Sequence, residues 1–319
     1  MDEKNARKYL RRRFSPLGWI LVGYYGILNI LVLLTAVVDM VTQQLRAYGA
    51  GMVPFVPDET AAMNNGWGYL AAIGVGLLLL YAWKGSDYLC DEIFAKEGPM
   101  RPAVFFGLLC LCVGSQLVNS LWIMVLELVL NLFGLSAVGI LEQVSGQSDS
   151  FSMFLYASIA APIAEELLFR GVVLRSLRPF GKKFAIFGSA VLFGIFHGNL
   201  LQTPYAILIG LVLGYVTVEY SIIWAILLHG FNNLVLADLM TRLLSLLPEP
   251  LAAAIQFAVL LGFAIAAAIV LTARRKEIGG YLGSEQTDRR AVRCLFLNPG
   301  VMVLTVLMAI NMLMMILPL

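Results

Sequence analysis

The chain of 319 residues is 60% hydrophobic and 13% charged, with a formal net charge of +2. Soluble domains carry about 25% charged and about 45–50% apolar residues, so the composition sets aside a soluble globular enzyme and points to a polytopic integral membrane protein. So small a net charge leaves no electrostatic footprint for nucleic acid, and no nucleic-acid partner is expected.

The chain opens on a basic cluster, Lys4, Arg7, Lys8, Arg11, Arg12 and Arg13. The first apolar run, 16–41, lacks a small-residue cleavage site and reads as a retained anchor rather than a signal peptide. A span needs about 20 apolar residues. Further runs follow near 66–83, 103–133, 151–174, 184–200, 204–220, 221–246, 250–273 and 300–318. They are apolar on all faces, and a backbone in lipid must satisfy its own hydrogen bonds, so each is expected as a helix. The fold class is therefore all-α, a bundle of about nine transmembrane helices.

Positive charge sets the orientation. With alternate loops on opposite sides, Lys84, Lys96 and Arg101, then Arg175, Arg178, Lys182 and Lys183, then Arg274, Arg275, Lys276, Arg289, Arg290 and Arg293 share a side with the N-terminus. Only Arg46 and Arg242 fall opposite. The N-terminus is thus expected in the cytoplasm and the C-terminus outside, in a multi-pass protein of the cell membrane. The 42–65 stretch, with Pro54 and Pro57, reads as an external loop. The charged 276–299 stretch, with Gly279 and Gly280, reads as a mobile cytoplasmic linker. Cys90, Cys110, Cys112 and Cys294 lack the CxxC spacing of a redox or zinc site and are expected as free thiols. Gly194/Gly198 and Gly210/Gly214 have the spacing that lets helices approach closely, and read as packing.

Residues 161–170, APIAEELLFR, place three charges in an apolar run. A charge at the centre of a span costs about 2.5–3.5 kcal/mol on insertion scales, which marks intramembrane ionisable groups as functional candidates. Glu166 and Arg170 stand i,i+4 with the acid first, the favourable order for an ion pair on one face. Glu165 is rotated about 100° from Glu166 and is left available. The chain's two histidines, His197 and His229, both fall in spans. Phe193 shares a face with His197. Asn233 shares a face with His229, and Asn232 lies beside it. A carboxylate with an imidazole can hold and deprotonate a water, and a second imidazole with a carboxamide can donate to a developing oxyanion. The alternative is a three-ligand zinc site of Glu165, His197 and His229 with water in the fourth position, although the HExxH signature is absent. Counted from the span ends, Glu165 and His229 lie about 14 and 12 Å from the cytoplasmic end, and His197 about 20 Å. Gln116, Asn119 and Glu127 in the third span are further polar groups, read as helix–helix hydrogen bonding rather than cavity lining.

Taken in order, EExxxR (Glu165, Glu166, Arg170), FxxxH (Phe193, His197) and HxxxN (His229, Asn233) resemble the CPBP family of intramembrane proteases, which includes CAAX prenyl proteases and bacteriocin-processing (Abi) proteins. The resemblance covers about residues 150–245. It implies that Glu165 and His197 activate the water, that His229 and Asn233 stabilise the oxyanion, and that Glu166 and Arg170 support them. Both a metalloprotease and a metal-free glutamate mechanism are compatible with it.

The organisation expected is N-terminal spans over 1–150, a catalytic core over 151–246 and C-terminal spans with the linker over 247–319. The function expected is an intramembrane endopeptidase for a hydrophobic, lipidated or precursor peptide, with membrane lipid as its surroundings. A catalytically silent scaffold or immunity protein would be expected to have lost motif residues, and none is lost. A proton-coupled transporter would be expected to show inverted repeats, and none is found.

Overall fold

The computed structural model describes residues 3–51, 65–137, 150–284 and 287–318. Helix α1, Glu3–Gly49, has 47 residues and is about 70 Å long, more than twice the hydrocarbon thickness of a bilayer. Leu10, Phe14, Leu17 and Leu21 form its buried stripe at helical spacing. Next come α2, Trp67–Asp87, and α3, Pro102–Asn131. The continuous helical rod α4 joins Phe151–Phe154, Leu155–Ala160, Ala161–Glu166, Leu167–Leu174 and Arg175–Leu177. Its second and fourth segments are wound with wide π turns, a form concentrated at functional sites. Pro162 lies inside this rod, at the junction of its second and third segments, and has no N–H to bond back along the helix.

Helices α5, Lys182–Phe196, and α6, Thr203–Glu219, pack on one another. Glycine makes that approach possible. A Cβ on Gly194 would lie 2.3 Å from Ile207 Cγ1, and one on Gly210 would lie 3.1 Å from Ala190 Cα. Helix α7 runs through Ile222–Gly230, Phe231–Leu239 and Met240–Leu244, and α8 is Glu249–Ala273, packed on α3. Helices α9, Arg275–Gly283, and α10, Arg289–Phe296, lead to α11, Pro299–Met314, which packs against α1. After α3, β1 (Leu135–Ser136) pairs antiparallel with β2 (Leu317–Pro318).

Helices lie at every run expected to span, and the all-α class holds. Among the described residues, five helices are long and apolar enough to cross a membrane, or six if the α10–α11 pair, bent by 58°, counts as one. The rest are short or interrupted. Helix α5 has 15 residues, about 22 Å.

Two expectations change. Segment 276–299 is not an irregular linker but two helices. In α10 the arginines face out while Ala291, Cys294 and Leu295 are buried, and in α9 Tyr281 donates to Glu219 at 3.1 Å. The 42–65 stretch begins as helix, because α1 continues to Gly49; Pro54 and Pro57 lie outside the described residues, as does the side chain of Cys90. Cys110, Cys112 and Cys294 are free thiols.

Polar contacts collect at the two ends of the bundle. At one end, Arg178 pairs with Glu97, Lys182 with Glu219 at 3.0 Å, and Lys183 reaches the Leu282 carbonyl. At the other, Asn65 bonds Asp39, Gly66 N–H donates to Ser152, and Glu127 accepts from Ser136 Oγ and from Ala137 N–H at 2.8 and 3.0 Å.

Candidate active site

The site is built on α4. Glu166 and Arg170 are fully buried, with Arg170 Nη1 2.9 Å from Glu166 Oε1. Arg170 Nη2 donates to the Gly210 carbonyl of α6 at 3.3 Å, and its guanidinium stands 4.4 Å from the Phe193 ring centroid of α5. A buried charge is retained only when paired and hydrogen-bonded; these contacts supply the pairing and one hydrogen bond to Arg170, while Glu166 Oε2 and Arg170 Nε and Nη1 have no hydrogen-bond partner among the described residues. Glu165, rotated away, keeps 23% side-chain exposure.

Helix α7 brings in His229. Its Nδ1 lies 2.9 Å from Glu166 Oε1. The carboxylate can only accept, so Nδ1 carries the proton. Its Nε2 lies 3.8 Å from Glu165 Oε2, beyond a direct hydrogen bond. A water making contacts of about 2.8 Å to both would span that gap. The chain Arg170–Glu166–His229–Glu165 thus ends at a partly exposed carboxylate.

Helix α5 runs antiparallel to α4, with Gly188 beside Leu177 and Phe193 beside Arg170. His197, one turn beyond Phe193, therefore arrives at the level of Glu166. The Phe193 ring meets both imidazoles edge-on, with centroids 4.7 Å from His197 and 5.7 Å from His229. Inter-helix register removes the depth offset obtained by counting from span ends. His197 caps α5 just before Gly198, whose φ of +58° turns the chain. Its Nδ1 lies 2.8 Å from the Phe193 carbonyl, so Nδ1 is the donor and Nε2 keeps its lone pair. The imidazole in ion-pair range of Glu165 is that of His229.

Asn233 Nδ2 donates to the Ala157 carbonyl of α4 at 3.1 Å, and Asn232 Nδ2 donates to Asn233 Oδ1 at 3.1 Å. Asn232 Oδ1 in turn accepts from Gln116 Nε2 of α3 at 2.9 Å and from Tyr205 O–H of α6 at 2.5 Å. Of the three polar groups noted in the third span, Gln116 joins the site. Glu127 holds the turn into β1, and Asn119 Oδ1 is buried with no hydrogen-bond partner among the described residues.

Tyr24 of α1 meets Phe196 of α5 with ring centroids 6.0 Å apart, and Tyr69 of α2 stacks on Tyr156 of α4 with centroids 4.5 Å apart. Tyr24 also lines an apolar cavity of about 350 Å³ between α1, α2 and α4, to which α4 contributes Ala164, Leu167, Leu168 and Val172. Tyr24, Tyr69, Tyr156, Tyr205 and the role of Gln116 were not read from the sequence, because a tyrosine in an apolar span carries no periodic signal. Among the described residues, no three His, Cys, Asp or Glu side chains are grouped so as to hold a metal ion. Glu165, His197 and His229 as placed therefore do not fit a three-ligand zinc site.

Residues 147–235 match the family model described as Rce1-like, type II CAAX prenyl endopeptidase. The segment is CAAX-protease-like. All three motifs lie inside it, so the resemblance read from them is shown, and the activity the match implies is that of a membrane-embedded CAAX-type protease. The match includes α4 to α6 and most of α7, and leaves out α1–α3 and α8–α11. No curated protein and no solved structure matches the chain.

Proposed function

We propose that this Rce1-like protein is an intramembrane endopeptidase. It hydrolyses a peptide bond near the C-terminus of a membrane-associated, prenylated peptide, using a water activated by Glu165. The carrying observation is the buried chain from Arg170 through Glu166 to His229, which ends 3.8 Å from Glu165. In this mechanism His229 donates its Nδ1–H to Glu166, its Nε2–H is a donor to the substrate, and Glu165 is the base.

Glu165 then takes a proton from water, with His197 Nε2 accepting the second O–H to orient it. The water oxygen bonds to the scissile carbonyl carbon, and the carbonyl oxygen becomes an oxyanion. His229 Nε2–H and an N–H of Asn233 donate to that oxyanion. When the C–N bond breaks, Glu165 returns its proton to the leaving amine. The apolar cavity that α4 lines with Ala164 and Leu168 suits the hydrocarbon part of the substrate.

The test is cleavage of an internally quenched peptide bearing a farnesylated cysteine three residues before its C-terminus, by purified protein in detergent. Glu165→Gln should lower kcat by at least about 10²-fold, with or without chelator. Full activity in Glu165→Gln, or loss of wild-type activity to chelator, would each reject the mechanism.

We also propose that the chain crosses the cell membrane nine times with the N-terminus in the cytoplasm. The gathering of Arg178, Lys182 and Lys183 at the end of the bundle where Tyr9 of α1 meets Phe180 supports the orientation. An impermeant thiol reagent applied outside intact cells should label a cysteine at position 242 and not one at 96; the reverse pattern rejects the orientation.

A further inference from the structure

We propose that Gln116 and Tyr205 are positioning residues, which act through Asn232 to fix the orientation of the Asn233 carboxamide. The inference rests on the reading of Asn233 as an oxyanion donor. Neither residue belongs to the three motifs, and Gln116 lies outside the matched segment.

A carboxamide can present either its oxygen or its nitrogen to a substrate, and only the nitrogen stabilises an oxyanion. The direction is set by a closed set of bonds. Gln116 Nε2 donates to Asn232 Oδ1 at 2.9 Å and to the Tyr205 hydroxyl at 3.2 Å. That hydroxyl has one proton and gives it to the same Asn232 oxygen at 2.5 Å. Both acceptor positions of Oδ1 are therefore filled, and turning the Asn232 amide over would set its NH2 against the NH2 of Gln116 and forfeit the bond from Tyr205. Its Nδ2 is thereby committed to Asn233 Oδ1 at 3.1 Å. With its oxygen occupied, Asn233 presents its nitrogen. One N–H goes to the Ala157 carbonyl at 3.1 Å, and the second is the oxyanion donor.

Three helices hold this relay: α3 supplies Gln116, α6 Tyr205, and the π-wound part of α7 both asparagines. Asn232 is buried and Asn233 half-buried, so the relay leads from the interior to the site. Rotating Asn232 without its two donors would leave the Ala157 carbonyl as the one remaining restraint on the Asn233 amide among the described residues, so that Asn233 presents its oxygen to the substrate for part of the time, which lowers turnover without altering the apolar contacts that bind the peptide.

The experiment compares wild type, Gln116→Leu/Tyr205→Phe, Asn233→Ala and the combined variant on the farnesylated peptide. The relay variant should lose about tenfold in kcat at unchanged KM, and should have no further effect on the Asn233→Ala background. Gln116→Asn, which keeps a carboxamide, should recover part of the loss. Equal fractional losses with and without Asn233, or a rise in KM at constant kcat, would overturn the relay. An unaltered kcat in Asn233→Ala would instead reject the oxyanion reading beneath it. As a readout independent of cleavage, the Asn233 side-chain NH2 resonances in ¹⁵N-labelled protein should be a single sharp pair in wild type. They should be broadened or doubled in the relay variant, and unchanged resonances there would overturn the inference.

Discussion

Two acid–base pairs, each local to one helix, occur in very different surroundings. On α4, Glu166 and Arg170 are wholly excluded from solvent. At the start of α9, Arg274 and Glu277 are 2.8 Å apart, with side chains 59% and 69% exposed. A helical turn suffices to make either pair. What differs is the consequence of losing one partner. In solvent the survivor is rehydrated, and the pair is worth a few tenths of a kcal/mol. Among α4, α5, α6 and α7 no water replaces the missing charge, so each member obliges the other to stay. The buried pair thereby fixes the position of His229 as well, since Glu166 Oε1 lies 2.9 Å from both Arg170 and His229.

The largest contrast should come from Arg170→Met. It leaves Glu166 buried beside a neutral side chain and should cost about 3–5 kcal/mol, read as a lowered unfolding midpoint in detergent. The double change Glu166→Met/Arg170→Met should cost less than the single one, because no ion is stranded; if it costs more, buried charge is not the cause. Packing without charge offers the next comparison. A Cβ on Gly18 would lie 2.3 Å from Val301 N, so Gly18→Ala should separate α1 from α11 and cost about 1–3 kcal/mol.

An intermediate case is Arg178–Glu97, whose side chains are each 27% exposed. The hydrogen bond from Arg178 holds the Glu97 carboxyl below the usual carboxylate range. A depressed acid stabilises the fold fully above its unfolded value, about pH 4.3, and loses that effect as pH falls through its lower folded value. Arg178→Gln should therefore cost about 0.5–1 kcal/mol at neutral pH and have a diminishing effect below pH about 4. An equal cost at both pH values would show that the ion pair is not responsible. Arg274→Ala should be the mildest, within about 0.5 kcal/mol. A larger loss would mean that α9 depends on this pair to hold Tyr281 against Glu219.

The local half of the site was legible in the sequence. The i,i+4 spacing identifies the Glu166–Arg170 pair, and the same geometry that joins them rotates Glu165 out. The attachment of His229 to Glu166 was not legible, since it joins residues 63 apart through inter-helix register. Gln116 was visible as a polar residue in a span, but its partner Asn232 is 116 positions away, and no period connects them. The α10 helix could have been recognised from Ala291, Cys294 and Leu295 at helical spacing. Its run of arginines and the preceding glycines suggested an irregular segment instead. Span number was the least legible feature, because α5 and α6 are short and lean on one another through glycine notches rather than on length.

The contact between Gly18 and Gly300 has a consequence for assembly. These two glycines meet backbone to backbone, yet a ribosome makes the second long after the first. While the intervening helices enter the bilayer, the notch on α1 has no partner. On this face of α1 the order of synthesis and the order of closure are thus opposed, whereas its contact with α2, the next helix made, can form at once.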